Sequence, residues 1–242
     1  MSSKTIAFFG ASGGCGLAAL RLAVGNNHTC IALCRNPDKL SAVFPSNPPN
    51  LHLVKGNAHD ADVVASCLVN PNDPSRLVDM LCFTVGSVFN FTKLTTDDPH
   101  VCEKSMDALF KALATLRQQG KQGSPLLAVI STTGISRFQR DVPIAFLPMY
   151  KALHVPHMDK KVMEERLEAS SERWIAVRPS LLINGAIPDR KIRVHIEDPI
   201  KGIEQKEVGY TISREDVGRW MYENLIVGET KQYEGKAVGL TW

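Results

Sequence analysis

The stretch Gly10-Ala11-Ser12-Gly13-Gly14-Cys15-Gly16 constrains the fold more than any other part of the chain. Immediately before it stands Thr5-Ile6-Ala7-Phe8-Phe9, an apolar run that reads as a buried strand. Leu17 to Val24 follows, rich in Ala and Leu, and reads as a helix. A strand, a glycine turn and a helix in this order form the phosphate-binding half of a βαβ unit. Gly10 allows a tight exit from the strand. Gly13 lacks a Cβ, so a pyrophosphate can approach the backbone, and Gly16 lets the helix pack closely. Ser12 offers a hydroxyl. Gly14 and Cys15 stand where the helix begins, with unpaired N–H groups and a partial positive charge directed at an anion.

The 242 residues suit one large α/β domain, and 44% hydrophobic content supplies a sizeable core. A net charge of +3 indicates no strong field toward nucleic acid or a membrane surface. No apolar run approaches the ~18 residues of a membrane span. The six cysteines, Cys15, Cys30, Cys34, Cys67, Cys82 and Cys102, show no C-x-x-C spacing. They read as reduced core residues of a cytoplasmic protein, not as disulfides or metal ligands. The N-terminus runs straight into a strand, so no signal peptide is expected.

Thr29 to Cys34 reads as the second strand, followed directly by Arg35, with Lys39 one helical turn on. In a dinucleotide fold this strand end lies beside the adenosine ribose. A guanidinium there suits a 2′-phosphate by charge and by bidentate geometry, which favours NADP(H). A solvated Arg at a loop start has the same sequence appearance. Asn36 caps a short helix. Leu51 to Lys55 reads as the third strand and ends at Gly56-Asn57-Ala58, where Asn57 can face an adenine edge. Asp60 to Leu68 reads as a helix, Asn70 to Ser75 as a turn, and Leu77 to Val85 as the fourth strand, ending at Gly86. Thr84, Val85 and Gly86 then line the cofactor crevice, with Pro179 and Leu182 on the same crevice beyond the sixth strand.

A long amphipathic helix is expected from His100 to Gln119, and the fifth strand from Leu126 to Ile130. Ser131 and Thr132 at its end can bond a substrate carbonyl, although plain turn chemistry explains hydroxyls there equally well. Residues 135–156 read as irregular, with Phe138, Phe146, Met149 and Tyr150 as a substrate wall or as loop-core contacts. Helix is expected from His157 to Ser171 and strand from Trp174 to Val177. Residues 183–211 read mainly as a polar, irregular substrate lobe. A capped helix starts after Ser213, and Lys236 to Trp242 is a last strand. The alternation predicts a Rossmann-type, doubly wound parallel sheet with helices on both faces and a small C-terminal substrate lobe, in a single domain over 1–242.

The chain resembles the atypical short-chain dehydrogenase/reductase superfamily, in the group of small NAD(P)H-binding, NmrA-like and biliverdin-reductase-B-like proteins. The resemblance rests on Gly10-x-x-Gly13-x-x-Gly16, Cys34-Arg35-Asn36-Pro37-Asp38-Lys39-Leu40, Gly56-Asn57-x-x-Asp60, Asp159-Lys160-x-x-x-Glu164, Trp174-x-x-x-Arg178-Pro179 and Ile212-Ser213-Arg214-Glu215-Asp216-Val217. It covers nearly the whole chain. Asn57 stands where the family usually has an acidic residue. The resemblance implies Lys160 as the lysine that holds the nicotinamide ribose. Superfamily reductases usually carry a Tyr four residues earlier; here that residue is Pro156, and taking Lys161 instead puts His157 in the Tyr position.

Three readings follow. The first is an NADP(H)-dependent oxidoreductase on a small, apolar carbonyl or conjugated compound, with His157 as proton donor, His154 or Tyr150 as alternatives, and Ser131 and Thr132 polarising the substrate. The second is a redox-neutral isomerase or cyclase on the same fold, and the third a non-catalytic NADP sensor. The partner in the first two is a small molecule. Both a monomer and a homodimer fit the sequence.

Overall fold

The computed structural model describes residues 3–87, 89, 90, 95–187 and 190–242. Strand β1 (Thr5–Phe9) is an interior strand of the main sheet, and all five of its residues are buried. Both faces of a parallel strand are covered, so it reads as a continuous apolar run. Its side chains divide by the two-residue period. Ile6 and Phe8 enter one core, and Ala7 and Phe9 enter the other. After β1 come α1 (Gly14–Gly25), β2 (Thr29–Cys34), α2 (Asp38–Val43), β3 (Leu51–Lys55) and α3 (Ala61–Leu68). The carboxylate of Asp60 caps α3 by accepting from Asp62 N and Val63 N.

A small hairpin, β4 (Val69–Asn70) and β5 (Asp73–Leu77), precedes β6 (Met80–Phe83). Here the sequence reading needs correction: residues 70–75 are hairpin rather than turn alone, and the fourth main strand is shorter than 77–85. The amides of Leu77 and Val78 bond Gln122 O and Leu68 O, which draws them off the main ladder. A second short hairpin, β7 (Phe89–Asn90) and β8 (Thr95–Thr96), leads to α4 (Val101–Gln118) and β9 (Leu126–Ile130). Residues 135–156 are not wholly irregular. They contain a 3-10 turn at Ile144–Phe146, helix α5 (Leu147–Ala152) and the start of α6 (His154–Glu168). Pro156 lies in the first turn of α6, where its missing N–H has no intrahelical partner to lose, so the helix begins before it.

The chain continues through β10 (Arg173–Pro179), β11 (Leu181–Ile183), β12 (Arg193–Asp198), β13 (Gly202–Gln205), β14 (Thr211–Ser213), α7 (Arg214–Met221) and β15 (Lys236–Thr241). The main sheet runs β13-β12-β15-β10-β9-β6-β1-β2-β3, parallel from β15 to β3 and antiparallel at β12 and β13. Helices α1 and α7 cover one face, and α3, α4 and α6 the other. Within the stretch read as an irregular lobe, β12 and β13 therefore extend the sheet; residues 188 and 189 lie outside the described ones. The inward residues of β12 are His195 and Glu197, not apolar ones. They face Arg178 of β10, whose guanidinium meets Glu197 at 2.9 Å and Glu164 of α6 at 3.0 Å. Burial pushes the Glu197 carboxyl up, but the nearby His195 imidazole, the Arg178 guanidinium and the Ser136 hydroxyl outweigh that and hold it at about 2. No helix among the described residues is long and apolar enough to cross a membrane.

Candidate active site

Strand order reverses between β1 and β6, and ligands of such sheets bind beyond the carboxyl ends of the strands at that point. A cleft of about 350 Å³ opens there. Gly10, Ser12, Arg35, Asn57, Ala58, Thr84, Val85 and Gly86 line it, whereas Gly13, Gly14 and Cys15 do not. Gly10 has φ +83°, and a Cβ on it would stand 2.7 Å from the Thr84 backbone. Gly16 is equally constrained, since a Cβ would meet Thr84 Oγ1 at 2.2 Å. The space in front of Gly13 is open: a Cβ there would have no neighbouring atom within 4 Å.

The start of α1 is built for an anion. Gly13 is its N-cap residue, no side chain caps it, and its first turn holds no acidic residue. The first N–H groups thus keep their bonding capacity and the helix dipole is not offset. Burial pushes the Cys15 thiol at this turn up to about 12, which leaves it an inert packing group. The geometry therefore accommodates the pyrophosphate of a dinucleotide. Lys39 is exposed and does not line the cleft; neither do Pro179 and Leu182. The Asn57 amide oxygen accepts from His59 N at 3.2 Å and so shapes the turn after β3.

Sequence reasoning missed Arg214. Its stem passes 3.5 Å from where a Cβ on Gly14 would stand, and its guanidinium donates to Leu182 O and Asn184 Oδ1 at 3.1 and 2.9 Å. The motif around it was legible as a capped helix start and as part of the family resemblance, with no role for the Arg214 side chain. That cap exists: Ser213 Oγ accepts from Asp216 N at 2.9 Å. Ser87, Asp97 and Asp98 also line the cleft without having been singled out, as does His59, which the sequence suggests is a plain loop histidine.

A second cavity, of about 550 Å³, is lined by Ile135, Val142, Leu147, Pro148, Tyr150 and Met158 together with Lys151, His154, His157 and Lys161. Lys160 belongs to neither lining. Its ammonium donates to Val85 O at 2.8 Å and Ile130 O at 2.6 Å, so it ties the ends of β6 and β9 together beside the cofactor cleft. Lys161 faces the second cavity instead. Lys160 lies in the second turn of α6 rather than at its start, because the helix begins at His154. The neighbouring Asp159 is buried and accepts from Cys102 N and Glu103 N, capping α4.

Tyr150 OH lies 2.8 Å from Thr133 Oγ1, and its ring is 5.1 Å from that of His157. Gly134, at φ +87°, makes room for it: a Cβ there would stand 2.4 Å from the Tyr150 ring. The carboxylate of Asp141 holds the Gly134 amide at 3.0 and 2.9 Å. Burial raises the Tyr150 hydroxyl above its usual range. His157 Nε2 lies 3.4 Å from Thr132 Oγ1. Burial first, and the neighbouring His154 second, lower His157 to about 4. Ser131 is buried, lines neither cavity, and its hydroxyl has no hydrogen-bond partner among the described residues.

A reductase of Aspergillus terreus, pytE, is 38% identical over 100% of this chain and 99% of its own length. An oxidase of Aspergillus niger, pynE, is 33% identical over 100% and 99%. The crystal structure of a short-chain dehydrogenase/reductase from Veillonella parvula in complex with NADP has the same fold, with a TM-score of 0.74 at 12% identity over 100% of this chain and 95% of that one. The family model described as NAD(P)H-binding matches residues 10–226, from the glycine loop past α7, and the chain belongs to that NAD(P)H-binding family, with the fold of the short-chain dehydrogenases/reductases.

Proposed function

We propose that the protein is an NADP(H)-dependent oxidoreductase acting on a small, largely apolar carbonyl or conjugated compound. One observation carries this reading. An anion-ready cleft with Arg35 at its ribose end adjoins, across Lys160, a second cavity whose walls are mostly apolar. The activities of the two relatives, a reductase and an oxidase, support redox chemistry. Arg35 would hold the 2′-phosphate, the first turn of α1 the pyrophosphate, and Lys160 the nicotinamide ribose. Bound NADPH supplies the hydride.

The chain's own residues then manage position and protons. Tyr150 stays protonated at neutral pH and can donate a hydrogen bond to a substrate oxygen, with Thr133 behind it. His157 is neutral at that pH, so it serves as a hydrogen-bonding wall with Thr132 more than as an acid. The six buried thiols fit a reducing, cytoplasmic setting. The test is turnover of a panel of aldehydes, ketones and enones with NADPH deuterated at the transferable position. Deuterium in the product is expected. Product without deuterium points to redox-neutral chemistry, and cofactor binding without any product points to a sensor.

A further inference from the structure

The second cavity has an uneven charge distribution. Two lysines and two histidines line it, and no aspartate or glutamate does. Lys151 is exposed, and its ammonium has no hydrogen-bond or ion-pair partner among the described residues. Lys161 has one carboxylate nearby, Glu165, at 3.9 Å, which is a loose and exposed pair. Asp141, just behind the cavity, has both its oxygens engaged by the Gly134 amide and does not line the wall. The adjoining cofactor cleft, by contrast, carries Asp97 and Asp98. The two exposed lysines therefore put a positive rim on an apolar pocket that no carboxylate lines.

Such a rim over apolar walls suits a molecule with a ring or chain to bury and an anionic oxygen to leave near the surface. Apolar area drives binding, and the lysines fix which end points outward. We infer that the substrate is an organic anion, a carboxylate-type oxyanion on an apolar body, whose charged end is held by Lys151 and Lys161. This rests on the reading of the second cavity as the substrate site. The lysines stand on α5 and α6, so they hold the two helices that also carry Tyr150 and His157 against one ligand. An anion drawn to them is thereby presented with its body beside the Tyr150 hydroxyl.

The probes are 2-naphthoate and 2-naphthamide, equal in shape and differing in charge, titrated by calorimetry into the full-length protein saturated with NADP⁺. Naphthoate is expected to bind about five- to tenfold more tightly. That preference should shrink as sodium chloride rises to about 0.5 M, because the rim is solvent-exposed. The Lys151→Met and Lys161→Met double variant should bind both probes alike. Equal binding of the two by the parent, failure of both to bind, or an undiminished preference in the double variant each overturns the inference. NADPH is titrated into the same samples. Loss of NADPH binding in the parent would refute the proposed cofactor while leaving the probe result readable. The double variant should bind NADPH like the parent, since neither lysine lines the cofactor cleft.

Discussion

At the scale of single residues, the close packing of the glycine loop and the place of Arg35 at the cleft were legible because each follows from local geometry. Gly10 and Gly16 face Thr84 too closely for any side chain, and Arg35 follows the strand that ends at the cleft. Arg35→Glu should weaken NADPH binding by about 1.5–3 kcal/mol, the loss of a charge-assisted hydrogen bond, and narrow the gap to NADH. Calorimetry with both cofactors checks this, and equal affinities in the parent would end the argument for NADP(H). Tyr150 and Arg214 were less legible. Their positions depend on partners far away in sequence: Thr133 and Gly134 for the first, Gly14 and Leu182 for the second. Tyr150→Phe should lower kcat by roughly 10²–10⁴ while KM for NADPH stays nearly constant. A variant as fast as the parent would shift proton supply to water.

At the scale of elements, β1, β2 and β9 were read to the residue because burial on both faces leaves an uninterrupted apolar run. Strand β12 was not. Its inward positions, His195 and Glu197, are polar because Arg178 waits behind them, so hydrophobic alternation points the wrong way. Helix α6 was started too late for a different reason, the deterrent effect of Pro156, which is harmless in a first turn. Two glycines separate binding from folding. Gly13 has φ −174°, an extended backbone open to any residue, and its Cβ position meets nothing. Gly13→Val should therefore leave the urea midpoint near the parent's while NADPH binding disappears, because the branched side chain occupies the pyrophosphate approach. Gly218 lies where α7 crosses α1, and a Cβ there would stand 2.4 Å from Ala18 Cβ and 2.7 Å from Cys15 O. Gly218→Val should cost about 2–3 kcal/mol of stability by overpacking. If Gly13→Val bound NADPH normally, the loop would not be the phosphate cradle.

At the scale of the whole molecule, the buried histidines tie stability to pH. His157 is lowered to about 4 by burial and by His154, and His28 is lowered by burial and by Lys4. In the unfolded chain both imidazoles titrate near 6.5. Between those values the unfolded state binds more protons than the folded one, so stability must fall as pH falls. The carboxylates lowered in the folded state, Glu197 among them, act in the same direction, but only below about pH 4.5, where an unfolded carboxylate takes up its proton. Asp141, raised by burial, has the opposite sign, gaining stability as pH falls. The two histidines thus drive a fall in stability through the window from pH 6.5 to about 4.5, and Asp141 opposes it. Urea midpoints measured across that window should decline steadily in the parent protein. His157→Gln removes the larger contribution and leaves that of His28, so its decline should be visibly shallower. Bound NADPH should raise every midpoint without changing the slope, since neither imidazole lines the cofactor cleft. A His157→Gln variant with the parent's full slope would mean that the imidazole is protonated in the folded protein, and with that the assignment of His157 as a neutral wall rather than an acid would fail.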